Sequence, residues 1–154
     1  MSVIVDMQWV VAADNLPSES EIQAWIEQVV VEHQDEAELT VRVVDENEIT
    51  QLNHEYRNKN KATNVLSFPA DHDLPLDIPL LGDLVICAAV VEQEAAQQAK
   101  SLSAHWAHIV IHGTLHLLGY DHIENDQAQT MEAKEIQYLA HFGFSNPYEV
   151  ITHS

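Results

Sequence analysis

The chain is short of cations. Its 154 residues carry 6 Lys and Arg against 25 Asp and Glu, for a formal net charge of −19. A surface this acidic repels polyanions at long range, so any contact with nucleic acid has to come from a local concentration of positive charge. Cysteine is nearly absent as well. The single Cys87 excludes an intrachain disulfide and reads as a small buried hydrophobe, which points to a reducing, cytoplasmic compartment. Glycine and proline are sparse, at 4 and 5 residues, and no flexible linker or internal repeat divides the sequence. Residues 1–154 are therefore expected to form one domain. Long apolar runs are missing too. The longest, LVICAAVV at 84–91, is too short to span a bilayer, and the opening MSVIVDMQWVV lacks the basic segment of a signal peptide. No membrane partner is expected.

What is present is patterned for a mixed fold, with 46% of residues hydrophobic. Branched residues over 2–10 predict a strand. Ser18 with Glu21 three positions on predicts a capping box opening a helix, with Ile22, Trp25, Ile26, Val29 and Val30 on its apolar face. ELTVRVV at 38–44 alternates as a half-buried strand, and Asp45 is placed to cap a helix running to about Tyr56. NVLSF (64–68) and LGDLVICA (81–88) read as further strands. The proline- and aspartate-rich stretch between them reads as an irregular loop at a rim. Helix formers fill 88–101. A second helix, capped by Ser103, should run to about Leu118, and a last one should end at Gly143 with Met131, Ile136, Leu139 and Ala140 on its inner side. Strands early and helices late predict an α+β domain: a small mixed sheet of about four strands packed by about five helices.

HGTLHLLGYDH, residues 112–122, sets three histidines close together. At about 100° per residue, His112 and His116 lie roughly 40° apart on one helix face, while apolar residues fill nearly every other direction. Such a helix belongs in the interior, where each imidazole must find a partner. Histidines at i and i+4 can converge on one ion, and Gly119 lets the chain turn back so that His122 joins them. Three nitrogens and an open position are the mark of a catalytic zinc site at the C-terminal end of this helix. His108 is about 12 Å along the axis from His116, too far to share that ion, and reads as a supporting or core residue; His105 is a weaker candidate still. Zinc so held keeps its double charge and favours hydrolytic chemistry. The spacing also matches the metzincin proteases, but Gly113 stands where they carry a general-base glutamate. Asp121 is the nearest replacement carboxylate, or else a residue that orients a ligand imidazole, or a plain turn residue.

Three of the six cations, Arg57, Lys59 and Lys61, fall within five residues. Arg57 suits bidentate phosphate contact and the two lysines suit neighbouring phosphates, although all three would also complement a helix C-terminus.

The motif HGTLHLLGYDH resembles the signature of the YbeY family of bacterial rRNA maturation factors at every fixed position. LNHEYRNKNKATNVLSFP (52–69) and LLGDLVI (80–86) are similar to that family's second and third blocks, with Asn64 where the family often has Asp. The resemblance implies a zinc-dependent endoribonuclease specific for single strands, acting in ribosomal RNA maturation and quality control. It implies His112, His116 and His122 as metal ligands and Arg57 as the functional arginine. Nickel, copper or iron fit the same donors. Single-stranded ribosomal RNA is the expected substrate, delivered by the ribosomal subunit or by basic ribosomal proteins that suit the acidic surface; no DNA partner is expected. Two other readings stay open: a zinc hydrolase or protease, and a non-catalytic ribosome-assembly factor with a structural metal.

Overall fold

The computed structural model describes residues 2–12, 15–70, 80–120 and 125–148. Its elements follow the order β1 (Ser2–Trp9), α1 (Glu19–Val30), β2 (Glu36–Val44), α2 (Glu46–Arg57), β3 (Val65–Pro69), β4 (Leu80–Cys87), α3 (Ala88–Gln97), α4 (Leu102–Leu117) and α5 (Asn125–His141). The result is an α+β fold with four strands and five helices among the described residues. The sheet order is β1-β2-β4-β3. β1 and β2 pair in parallel, as do β2 and β4, while β3 joins β4 antiparallel along one edge. A parallel neighbour requires a crossover, and α1 supplies it between β1 and β2. Pro69, which has no N–H to give, ends the edge strand, the position where proline costs a ladder least.

Local chemistry sets several boundaries where the sequence places them. At α1 the Ser18 hydroxyl accepts from the Glu21 N–H at 3.1 Å, and the Glu21 carboxylate accepts from the Ser18 N–H at 3.0 Å. At α2 the Asp45 carboxylate accepts from the Glu48 N–H at 2.8 Å. Two expectations need correction. The cap of α4 is Ser101, not Ser103: the Ser101 side chain accepts from the Ala104 N–H at 3.1 Å. The reason lies upstream, because the chain leaves α3 through Ala99 at φ 53°, which closes that helix early and starts the next one two residues sooner. On α5 the buried face is Met131, Glu135, Tyr138 and Leu139, whereas Ala140 is exposed and Ile136 only half-buried.

The sheet has two unequal faces. Leu39, Val41, Val43, Leu84 and Ile86 meet α1, α4 and α5 in the main core. Val44, Leu66, Val85 and Cys87 meet Ile49 of α2 in a smaller one on the opposite face. Cys87 is free and buried. Among the described residues no helix is long and apolar enough to cross a membrane. The loop expected at 69–83 falls largely on residues 71–79, outside the described residues.

Candidate metal centre

Helix α4 is the floor of the site. From residue 105 to 117 every position is buried except His108, His112 and His116, which form a half-open stripe at a period of four. The helix sits close to the sheet because position 113 has no side chain: a Cβ there would come within 2.8 Å of Leu84 Cδ2 and 3.3 Å of Val65 Cγ2. The Ser67 hydroxyl of β3 donates to the Gly113 carbonyl at 3.2 Å, which ties the edge strand to the turn that carries His112.

The tautomers of the two central imidazoles follow from their partners. His112 Nδ1 lies 2.6 Å from Glu135 Oε1, and His116 Nδ1 lies 3.0 Å from the Tyr120 carbonyl. A carboxylate and a carbonyl only accept, so both Nδ1 atoms carry the proton and donate. In the neutral rings, both Nε2 atoms then present lone pairs. These face one another 3.1 Å apart. Two facing lone pairs require a positive centre between or beside them, either a proton or a cation. Two ligand nitrogens on a tetrahedral zinc are about 3.3 Å apart, so the observed spacing fits a shared ion.

The residues behind this pair hold it in place. Burial alone would push the Glu135 carboxyl up, but hydrogen bonds from His108, His112 and Tyr148, with the attraction of His112, outweigh it and bring the pKa down to about 2. Glu135 is fully buried on α5 and remains an anion. Partial burial and this same carboxylate raise the Tyr148 phenol well above its ordinary value, so Tyr148 stays a donor. On the other ring, Gly119 turns at φ 102°, and the Tyr120 N–H returns to the Leu115 carbonyl at 3.0 Å. The Tyr120 hydroxyl donates to His33 Nε2 at 2.9 Å, because His33 Nδ1 is committed to the Val29 carbonyl. The left-handed turn expected at Gly119 is therefore present, and Tyr120 is anchored through its hydroxyl to His33, just past α1. His122 and Asp121 lie outside the described residues.

His108, His112 and Glu135 also bring ligand-capable atoms within 4.8 Å of one another. The 2.6 Å contact between His112 Nδ1 and Glu135 Oε1 is too short for both atoms to bind one ion and is the length of a shared proton. This cluster is a hydrogen-bonded support for His112, in the arrangement by which a carboxylate fixes the ring of a metal ligand. His108 Nε2 stands 3.4 Å from Glu135 and 3.2 Å from the Tyr148 hydroxyl, the supporting position anticipated for it. His105 is a core residue facing Glu94 at 2.9 Å.

Sequence reasoning missed Glu135, His33 and Tyr148. Only Glu135 carried a signal: it falls between Met131 and Leu139 at spacings of four, an acid on an otherwise apolar stripe. Arg57, Lys59 and Lys61 are exposed where α2 ends. Their backbone is held by Asn58 in the left-handed region and by buried Asn53, whose Nδ2 donates to the Lys61 carbonyl at 2.9 Å. Among the described residues no hydrogen bond or ion pair engages these three side chains. A cavity of about 340 Å³ opens beside His108 and His112, walled by Glu94, Lys100, His105 and Tyr148.

A buried helix presenting paired imidazoles, each oriented from behind and mounted on a small mixed sheet, is an arrangement with the donors to hold a metal ion. The family model described as endoribonuclease YbeY matches residues 8–143. An endoribonuclease YbeY from Cellvibrio japonicus (strain Ueda107) is 56% identical over 146 residues, covering 94% of this chain and 82% of that protein. The solution structure of TM1509 from Thermotoga maritima is similar with a TM-score of 0.63 and 24% identity, covering 96% of this chain and 99% of that one, and bears on the fold alone. The chain belongs to the endoribonuclease YbeY family, which supports a nuclease hydrolase acting on RNA.

Proposed function

We propose that residues 1–154 form a single metal-dependent hydrolase domain that cleaves single-stranded ribosomal RNA in the cytoplasm, during ribosome maturation and quality control. The observation that carries this reading is the His112–His116 pair: two Nε2 lone pairs 3.1 Å apart, with both Nδ1 atoms already committed. His122, two residues past the anchored Tyr120, is the third ligand. A transition ion held by these three, zinc by donor chemistry with nickel as a substitute, supplies Lewis acidity toward a phosphoryl oxygen and lowers the pKa of water.

The chain's own residues do the rest. Glu135 and the Tyr120 carbonyl hold the two rings in the tautomer that exposes Nε2. Arg57 takes up the negative charge that grows on the phosphoryl oxygens as the bond breaks, a role suited to a planar guanidinium. Lys59 and Lys61 grip adjacent phosphates. The acidic remainder of the surface suits a basic ribosomal protein or the ribosomal subunit as the agent of delivery. A peptidase is disfavoured by Gly113, whose position points into the α4–sheet interface, where a general-base glutamate has no room.

The test is cleavage of single-stranded RNA by metal-replete protein beside His116→Ala and Arg57→Ala, each with and without a chelator. Wild type should cut and chelation should stop it. His116→Ala should fold, lose its metal and lose cleavage. Arg57→Ala should keep the metal and lose on the order of 10²–10³ in rate, the usual cost of one charge-stabilising group. A His116→Ala protein that unfolds would instead mark a structural metal. One that cuts normally without metal would remove the reading.

A further inference from the structure

Tyr56 closes helix α2 with 66% of its surface exposed, the most exposed large hydrophobic side chain among the described residues. It is not loose. Its ring meets Phe68 of β3 edge-to-face, with centroids 5.2 Å apart and planes at 70°. A propped aromatic ring with an open face is what a single-stranded nucleic acid uses to stack a base. Its sequence neighbours are Arg57, Lys59 and Lys61, half of all the cations in the chain.

The placement relative to the histidines comes from β3. Successive residues of a strand point to opposite faces. Ser67 points to the α4 face, where its hydroxyl bonds the carbonyl of Gly113, the residue after His112. Phe68, the next residue, points to the α2 face and meets Tyr56. One edge strand therefore separates the imidazole stripe from the aromatic pair, and residues 58–64, with both lysines, connect α2 to that strand, Asn64 lining the cavity beside His108 and His112. A groove of about 430 Å³ opens at the aromatic pair, lined by Tyr56, Phe68, Leu52, Thr40 and Arg42. Its acids are Asp83 and Glu48, and Glu48 is already bound by Arg42 through two N–H···O contacts.

We infer that Tyr56, propped by Phe68, stacks a base of the RNA strand on one side of edge strand β3 while the strand's phosphodiester lies at the histidines on the other. This rests on the endoribonuclease reading and adds to it a base contact that the basic residues alone do not provide. Phosphate contacts are indifferent to the bases, whereas a stacked base must be unpaired, so Tyr56 is a determinant of single-strand preference.

The experiment measures KM for a single-stranded oligonucleotide with wild type, Tyr56→Ala and Tyr56→Phe, using a series of substrates in which one abasic nucleotide is walked along the strand. Loss of one base–aromatic stack should raise KM roughly 5- to 100-fold in Tyr56→Ala, and Tyr56→Phe should restore it. Wild type should be sensitive to the abasic site at one position, and Tyr56→Ala should be insensitive there, because the contact is already gone. Tyr56→Ala with wild-type KM, or the same abasic sensitivity in both proteins, overturns the inference and leaves the endoribonuclease reading standing. Wild type that fails to cut RNA with any transition ion removes that reading first, and the base contact with it. Tyr56 is exposed at a helix end, and an unchanged melting temperature confirms that the variant folds.

Discussion

Removing the carboxylate of Glu135 is the sharpest perturbation of the site that leaves the central pair of histidines intact. Glu135 accepts from His112 Nδ1 at 2.6 Å and from the Tyr148 hydroxyl, and it faces His108 Nε2 at 3.4 Å, with no solvent exposure of its own. In Glu135→Ala these donors lose a common acceptor in a buried place, where each unsatisfied group costs about 1–3 kcal/mol. His112 then has no partner to hold its proton on Nδ1, and its ring is free to rotate or change tautomer. Supporting residues of this kind typically set metal affinity by about 10–100-fold, which is about 1.4–2.7 kcal/mol. Glu135→Gln keeps one acceptor oxygen for His112 but turns an amide NH2 toward Tyr148, and it should fall at the lower end of that range. Competitive chelation against wild type, Glu135→Gln and Glu135→Ala reads the affinity directly. RNA cleavage should be lost at limiting metal and recover with excess metal. A folded Glu135→Ala protein that binds metal as tightly as wild type would refute the claim that this carboxylate sets the ring.

Three further outcomes are expected. Gly113→Glu, which installs the base a metzincin carries, should destabilise the protein by at least about 3 kcal/mol in urea unfolding, because the new side chain enters the contact with Leu84 and Val65; wild-type stability or any peptidase activity would contradict this. His105 is 2% exposed, and its pKa is lowered chiefly by burial, with Glu94 opposing and Lys100 and His108 adding. The unfolded chain therefore takes up this proton more readily. The associated stability should be intact above about pH 6.5 and decline as pH falls from there toward the folded-state value, so the melting temperature of wild type should drop more steeply on acidification than that of His105→Gln. Ser18→Ala removes half of the α1 capping box and should cost about 1 kcal/mol, a fall of about 2–4 °C in a calorimetric melt; no change would mean that the cap is replaced by water.

The parts of the fold that were legible in sequence are those decided by near neighbours. Ser18 and Glu21, Asp45 and Glu48, and the turn at Gly119 each close a hydrogen bond within a few residues, so the residue types alone identify them. The imidazole stripe was legible for the same reason, because a period of four on an apolar helix is a local property. Ser101 and Ser103 could not be told apart, since the choice depends on Ala99 entering the left-handed region, which side-chain chemistry does not announce. Glu135 reaches His112 across 23 residues of sequence, and only the packing of α5 on α4 brings them together. The Ala140 error and the missed Glu135 are one mistake, a rotation of the assumed inner face of α5. The observed stripe of 131, 135, 138 and 139 places an acid inside. That cost is what identifies the site: a buried carboxylate persists where donors such as His108, His112 and Tyr148 surround it.

A formal charge of −19 is ill-suited to a nuclease at long range, yet on the proposed reading it sharpens the site. At physiological salt, charges are screened beyond about 8 Å, so RNA near the end of α2 feels chiefly the local cluster of Arg57, Lys59 and Lys61, while elsewhere it meets acid. With so few phosphate contacts available, affinity should depend only weakly on salt, and binding must draw on contacts that are not electrostatic. Base stacking on Tyr56 is such a contact, and it requires a strand free of its complement. The scarcity of cations thus disfavours duplexes, whose bases are unavailable for stacking, and on this reading confines productive binding to the region of edge strand β3, with the imidazole stripe on one side and the aromatic pair on the other.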